Sequence, residues 1–352
     1  MEDAIVIATG SYGGPNGKVA HGLVRGGSRF RIRAVVEPAA AGADAGELLD
    51  GVRREIPMTA SVEEACESAP TATVAIVGVA THGGRITPVV REALLSAARA
   101  GLEIISGLHD FAGDDPDIAG EAENRGVAIR DLRRPPPKDA LRFWTGDVRS
   151  VRAARIAVLG TDCAVGKRTT ARLVTSGLEA SGLRAEMIYT GQTGWLQGGR
   201  FGIILDALPN DYVSGELEGA LVTCDRELSP DVMVLEGQSS LRNPSGPCGA
   251  ELLVSGGATA VILQHAPGRP YFEGYEDQRL EIPPLGEELA LIRLYGAEVI
   301  GLSLSREGLS ERAFDEARAD LAARHGIPVA CPLRDGIGAL VAAARSHLGL
   351  DV

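Results

Sequence analysis

A short apolar run, Ile156 to Leu159, leads into Gly160, Thr161, Asp162, Cys163, Ala164, Val165 and Gly166, followed by Lys167, Arg168 and Thr169, where a helical pattern begins. A strand, a loop bounded by glycines, a lysine and a helix together make a phosphate cradle. The loop amides and the helix N-terminus converge on one anion, and the lysine adds a point charge. Gly160 to Thr169 are therefore the candidate binding residues, and the ligand they suit carries phosphate. Other chemistry-bearing types close later apolar runs. Glu236 ends the run Val232 to Leu235, in the place where P-loop proteins keep the acid that binds a metal or positions a water. His265 and Arg269 follow the run Ala260 to Gln264 and suit a general base and a carboxylate clamp. Gln192 and Thr193, between Gly191 and Gly194, offer polar groups to a ligand or form a tight turn. Gln238, Ser239 and Arg242 lie in 238–246, which has the character of a substrate loop.

The cradle departs from the common P-loop pattern in two ways. That pattern has four residues between its glycines and a Ser or Thr directly after the Lys. Here five residues intervene, Arg168 takes the place of the hydroxyl, and Thr169 comes one residue late. The hydroxyl is a ligand of Mg²⁺. Its absence points to a phosphate site that does not run Mg-dependent phosphoryl transfer, with no metal expected and with Arg168 suited to an additional phosphate. The run Gly160-Thr-Asp-x-x-Val-Gly-Lys167 resembles the loop of dethiobiotin synthetase and its P-loop relatives. That likeness carries an alternative, an ATP-dependent ligase or kinase using Mg²⁺ and ATP. Against it, Tyr189 stands where that enzyme places a Lys before its turn. A further alternative is a nucleotide-binding protein without chemistry of its own.

The elements that must position these residues alternate between strand and helix patterns. Ala4 to Ala8, Arg31 to Val36, Thr73 to Val79 and Glu103 to Ser106 read as strands in the first part of the chain. Lys18 to Val24, a segment capped by Ser61 with Glu64 three residues on, and Pro88 to Ala100 read as helices. After the cradle, Ala185 to Thr190, Glu298 to Leu304 and Pro328 to Cys331 add strands, and Ser310 to Arg324 a helix. Alternation of this kind predicts an α/β protein with two doubly wound parallel sheets, Rossmann-like before the linker and P-loop-like after it. Asp131-Leu-Arg-Arg-Pro-Pro-Pro-Lys138 is the break, because consecutive prolines stiffen the chain and disfavour helix. The expected division is 1–134, a linker 135–150, and 151–352. In the first part, Glu37 suits the ribose acid of a dinucleotide site, but glycines at 10, 13, 14 and 17 miss the G-x-G-x-x-G spacing. Lys18, His21, His82, Arg85, His109 and Asp110 follow strands there and are read first as structural.

Composition narrows the partners. The 352 residues carry a formal charge of −12, which disfavours nucleic acid and anionic membranes as partners. Only 4% are aromatic, so the cores must be aliphatic. The five cysteines have neither zinc-ligand spacing nor a disulfide framework. The N-terminus lacks the pattern of a signal peptide, and no apolar run reaches membrane-spanning length. A cytoplasmic homo-oligomer acting on a small molecule is the expectation.

Six motifs together resemble one family, the D-glutamate N-acetyltransferase-like proteins long described only as a domain of unknown function. They are Gly17-Lys-Val-Ala-His-Gly-Leu-Val-Arg25, Ser106-Gly-Leu-His-Asp-Phe111, Arg130-Asp-Leu-Arg-Arg134, Gly160 to Lys167, Gly191-Gln-Thr-Gly194 and Leu235-Glu-Gly-Gln-Ser239. The resemblance covers nearly the whole chain. It implies a Rossmann-like domain joined to a P-loop domain, acetyl-CoA as acyl donor, and an amino acid, D-glutamate, as acceptor. On that implication the coenzyme A phosphates fall to the loop amides, Lys167 and Arg168. His265 or Glu236 would take the substrate proton, and Arg269 or Arg242 would hold its carboxylates.

Overall fold

Apolar runs of five to seven residues, each closed by glycine or a polar turn, build strands buried on both faces. In the computed structural model, which describes residues 1–26 and 29–349 with the side chains of Pro15 and His82 outside that description, they assemble into two sheets. The expectation for the His82 side chain therefore lies outside the described residues. The chain divides into two compact units, 1–136 with 191–200, and 137–190 with 201–352.

The first unit contains β1 (Glu2–Ile7), α1 (Lys18–Val24), β2 (Phe30–Val36), α2 (Ala45–Asp50), β3 (Met58–Thr59), α3 (Val62–Ser68), β4 (Ala72–Val77), α4 (Pro88–Arg99), β5 (Glu103–Ser106), α5 (Pro116–Arg125) and β6 (Ile129–Asp131). Its six strands are all parallel in the order β3-β2-β1-β4-β5-β6, the order of a dinucleotide-binding sheet. The two faces have separate aliphatic cores. Ile5 and Ile7 pack on one, Ala4 and Val6 on the other, which is why β1 reads as an unbroken apolar run. Helix starts follow the expected chemistry. Ser61 Oγ accepts from the Glu64 amide at 3.2 Å, and Thr87 caps α4 with Pro88 at its first position. The Ala/Gly-rich stretch 39–46 holds the end of a 3₁₀ turn and the start of α2, capped by Asp44.

The second unit contains β7 (Ala154–Gly160), α6 (Lys167–Ala180), β8 (Ala185–Tyr189), then, after α7 (Gln192–Leu196) of the first unit, β9 (Phe201–Gly202), α8 (Asn210–Leu228), β10 (Val232–Glu236), α9 (Ala250–Val254), β11 (Ala260–His265), α10 (Leu285–Leu294), β12 (Glu298–Leu304), α11 (Glu311–His325), β13 (Val329–Ala330), α12 (Pro332–Asp335) and α13 (Gly338–His347). The seven strands are parallel in the order β13-β12-β11-β7-β10-β8-β9. Strand β7 is central. Its register pairs Val158 with Glu236 on one side and Gly160 with Gln264 on the other. The carboxyl ends of β7, β10 and β11 therefore deliver the glycine loop, Glu236 and His265 side by side.

The chain leaves the second sheet after Thr190 and returns at Phe201, and the neck is closed by the pairing of Tyr189 with Gly202. Within the first unit, Leu196 is buried, the Arg29 amide donates to the Leu196 carbonyl at 2.9 Å, and Gln197 Nε2 donates to Gly22 O at 2.7 Å. After the prolines, 141–148 is a strap on α8 rather than a loose connection. The buried Glu218 accepts from the Thr145 amide and hydroxyl at 2.7 and 2.9 Å and from the Val148 amide at 3.1 Å. Gly215 of α8 lies against the Arg142 carbonyl, where a Cβ has no room.

Candidate active site

The loop 161–166 is shaped by two residues in the left-handed region, Ala164 at φ 52° and Gly166 at φ 112°. Gly166 is the N-cap of α6 and no side chain caps it, so the helix start turns its amide end and the positive end of its dipole toward the loop. Lys167 folds back over the loop. Its Nζ donates to Asp162 O at 2.5 Å and Ser239 O at 2.7 Å. Gly160 makes this fold possible, since a Cβ there would lie 2.9 Å from Lys167 Cδ. Burial pushes the Lys167 ammonium below the ordinary lysine value. The lysine thus ties the glycine loop to the loop after β10, and Ser239 itself sits at φ 36°, a left-handed conformation that costs a non-glycine residue on the order of 1–3 kcal/mol.

Asp162 holds the loop from below and is fully buried. Its Oδ1 accepts from Asn243 Nδ2 at 3.1 Å, and its Oδ2 from Arg269 Nη1 at 2.9 Å and the Glu273 amide at 2.8 Å. Arg269 also donates to Cys163 O at 2.7 Å and to Glu307 at 2.5 Å. Its guanidinium is thereby committed to protein acceptors, and it braces the glycine loop. Arg242 is likewise engaged, with Glu288 and Glu287 both at 2.7 Å and Pro284 O at 3.3 Å. Neither arginine has the open fork that a substrate carboxylate needs.

Glu236 is 3% exposed. Its Oε2 accepts from the Thr190 amide at 3.1 Å, while Thr190 Oγ1 donates to Glu236 O at 2.7 Å and accepts from Gln238 Nε2 at 3.0 Å. Burial pushes the carboxyl up; Arg168, the Thr190 amide and Lys167 each pull it back. His265 lies at the loop's other edge, half-buried, with Nδ1 and Thr161 Oγ1 3.0 Å apart. Burial lowers its pKa to about 4, so the ring is neutral at physiological pH. Thr170, three residues past Lys167, is turned inward: its hydroxyl donates to Gln264 Oε1 at 2.6 Å and lies 3.0 Å from Ser303 Oγ.

The structure therefore brings the glycine loop, Lys167, Arg168, Glu236, Gln238, Ser239, Arg242, His265 and Arg269 into one unit. Gln192 and Thr193 are placed elsewhere. They are buried in α7 of the first unit, where Gln192 packs on Gly107, whose added Cβ would lie 2.8 Å from Gln192 Cγ. Two residues that organise the site were not singled out from the sequence, Thr190 and Asn243. Thr190 had a signal, being the last residue before the glycine turn. Asn243 had none, since its partner Asp162 is far away in sequence.

The glycine-rich loop of the first unit is filled from within. Glu37 accepts from the Gly10, Ser11 and Tyr12 amides at 3.0, 3.0 and 3.1 Å. The acid expected to meet a ribose thus occupies the amides instead. Asp110 and Asp131 take the amides of Ile86, Ala112 and Gly113 in the same manner. His21 Nε2 lies 2.6 Å from Tyr12 O, and Lys18 and Arg85 are exposed. Among the described residues, no group of three or more His, Cys, Asp and Glu could hold a metal ion, and no helix is long and apolar enough to cross a membrane.

Comparison with known proteins agrees with this architecture. A family model described as "Domain of unknown function (DUF1611_C) P-loop domain" matches 142–341, and one described as "Domain of unknown function (DUF1611_N) Rossmann-like domain" matches 38–135. A protein named D-glutamate N-acetyltransferase from Tritonibacter scottomollicae is 32% identical over 301 residues, covering 83% of this chain and 87% of the relative. Another of that name from a Pseudoalteromonas species is 27% identical over 292 residues, covering 79% and 83%. Among solved structures, a crystal structure of a DUF1611 family protein from Anabaena variabilis is 28% identical and superimposes with a TM-score of 0.88, covering 98% of this chain and 100% of that one.

Proposed function

The chain belongs to the DUF1611 family, with its Rossmann-like and P-loop halves, and from that premise we propose that it transfers the acetyl group of acetyl-CoA to the amine of an amino acid, D-glutamate being the acceptor. The observation that carries this reading is the 32% identity, over 83% of the chain, to a protein named for that reaction. The site geometry supports it. The N-terminus of α6 and the Lys167 ammonium suit the diphosphate of coenzyme A.

Only a neutral amine attacks a thioester. The amine nitrogen adds to the thioester carbonyl carbon, and the C–S bond then breaks as the amine's proton is removed and delivered to the departing thiolate. His265 is the group suited to that transfer. It is half-buried, unprotonated at neutral pH, and oriented through Nδ1 by Thr161, which leaves Nε2 for the substrate. Glu236 is too deeply buried to meet a substrate and acts by holding Thr190. Arg269 and Asp162 position the loop.

The test measures thiol release from acetyl-CoA with D-glutamate, L-glutamate and other amino acids in turn, with the product identified by mass. Release dependent on D-glutamate is expected. ADP formation from ATP that depends on an acceptor, with no thiol release for any acceptor, would transfer the case to a ligase or kinase.

A further inference from the structure

A P-loop that works with Mg²⁺ gives the ion a hydroxyl directly after its lysine and, from the neighbouring strand end, an acid. The acid is present as Glu236, but the residue after Lys167 is Arg168. The direction of its side chain follows from the helix. Thr170 of α6 reaches Gln264 and Ser303 on the β11–β12 side. Lys167 reaches Asp162 and Ser239. Arg168 is one step of about 100° from Lys167, on a helix packed over β7, β8 and β10, and Glu236 is the last residue of β10. Arg168 is half-buried and its charge acts on Glu236 ahead of that of Lys167. A divalent ion brought to this place would meet a guanidinium whose charge already acts on the acid that should receive it, so the residues present do not fit a P-loop metal.

We propose that Arg168, set against Glu236, stands in the position of the P-loop metal ion, so that this site selects diphosphate esters that arrive without Mg²⁺ and discriminates against Mg-nucleotides. The proposal deepens the acetyltransferase reading by assigning its ligand selectivity to one residue. A guanidinium supplies the positive charge that the phosphates need without requiring a metal, and it repels the cation that accompanies a nucleoside triphosphate in the cell. Coenzyme A, a diphosphate ester, belongs to the favoured class; Mg·ATP does not.

Calorimetric titration of the whole protein with coenzyme A, ADP and ATP, in EDTA and in excess Mg²⁺, tests this. The wild type should bind coenzyme A equally well in both, and ADP and ATP more weakly when Mg²⁺ is present. Arg168→Thr should lower ADP affinity in EDTA by about tenfold to a hundredfold, the scale of one charge-assisted contact, and Mg²⁺ should restore it. Arg168→Lys, which keeps the charge, should remain independent of the metal; melting curves confirm that both variants are folded. Wild-type binding that requires Mg²⁺, or an Arg168→Thr protein unaffected in EDTA or not restored by Mg²⁺, overturns the proposal. The two readings fail separately. Metal-independent coenzyme A binding without acetyl transfer to any acceptor leaves Arg168's role standing and removes the reaction. Acetyl transfer that needs Mg²⁺ does the reverse.

Discussion

At the scale of single residues, the glycine loop is held by an ion pair whose carboxylate water does not reach. Asp162 has no exposed surface, and Arg269 is its ionic partner. Removing one partner of a buried pair leaves the other uncompensated and costs about 3–5 kcal/mol. Arg269→Ala should therefore destabilise the second unit by that order, whereas Lys167→Ala should act on ligand affinity. The lysine's phosphate contact is worth roughly 1.5–3 kcal/mol, so affinity for coenzyme A should fall about tenfold to a hundredfold in calorimetry. His265 gives a pH signature. Its folded-state pKa, about 4, is depressed from 6.5. The neutral ring's contribution to stability is complete above 6.5 and is lost as pH falls toward 4, because the unfolded chain binds the proton first. The difference in unfolding free energy between wild type and His265→Asn should shrink over that interval by about 3 kcal/mol at most. A difference that stays flat from pH 7 to 4 would show that the ring is not desolvated.

At the scale of elements, the strap 141–148 is fastened to α8 by a carboxylate. Glu218→Ala would strand the buried Val148 amide, at about 1–3 kcal/mol for an unsatisfied buried group, while the exposed Thr145 can turn to water; chemical denaturation should read that loss. The same scale separates what could be read in the sequence from what could not. The unit β7–loop–α6 was legible because its apolar run, glycines and lysine are contiguous, and the parallel alternation on both sides of the prolines was legible from period alone. The role of Arg269 was not. A guanidinium after a strand suits a substrate carboxylate equally well, and only tertiary contact shows that Asp162, distant in sequence, takes it. Glu37 was misleading for a related reason, since an acid at the end of a second strand can face a ribose or its own loop. The helix α7 was illegible because five residues, Gln192–Leu196, are too few to show a 3.6-residue period, and the flanking glycines read as a turn.

At the scale of the whole molecule, the chain passes between the units at the prolines and again at both ends of 191–200. The second passage makes a prediction that a simple two-bead arrangement would not. Residues 134–140 are exposed, and Lys138 offers trypsin a bond that no proline follows, whereas Arg134 precedes Pro135. Cleavage after Lys138 severs the linker but leaves 191–200, which belongs to the later fragment in sequence, packed within the first unit. That packing includes the buried Leu196, worth about 1.5–3 kcal/mol on burial, and the Arg29 guanidinium 4.5 Å from the Trp195 ring, about 0.5–1 kcal/mol. It also includes the Arg29-to-Leu196 backbone bond and the Gln197-to-Gly22 bond. The nicked wild type should therefore elute from a sizing column as one species and separate into fragments only in denaturant. Leu196→Asp places a charge in that buried position, and its nicked form should separate under native conditions. Separation of the nicked wild-type fragments without denaturant would show that 191–200 does not anchor the two halves of the chain to each other.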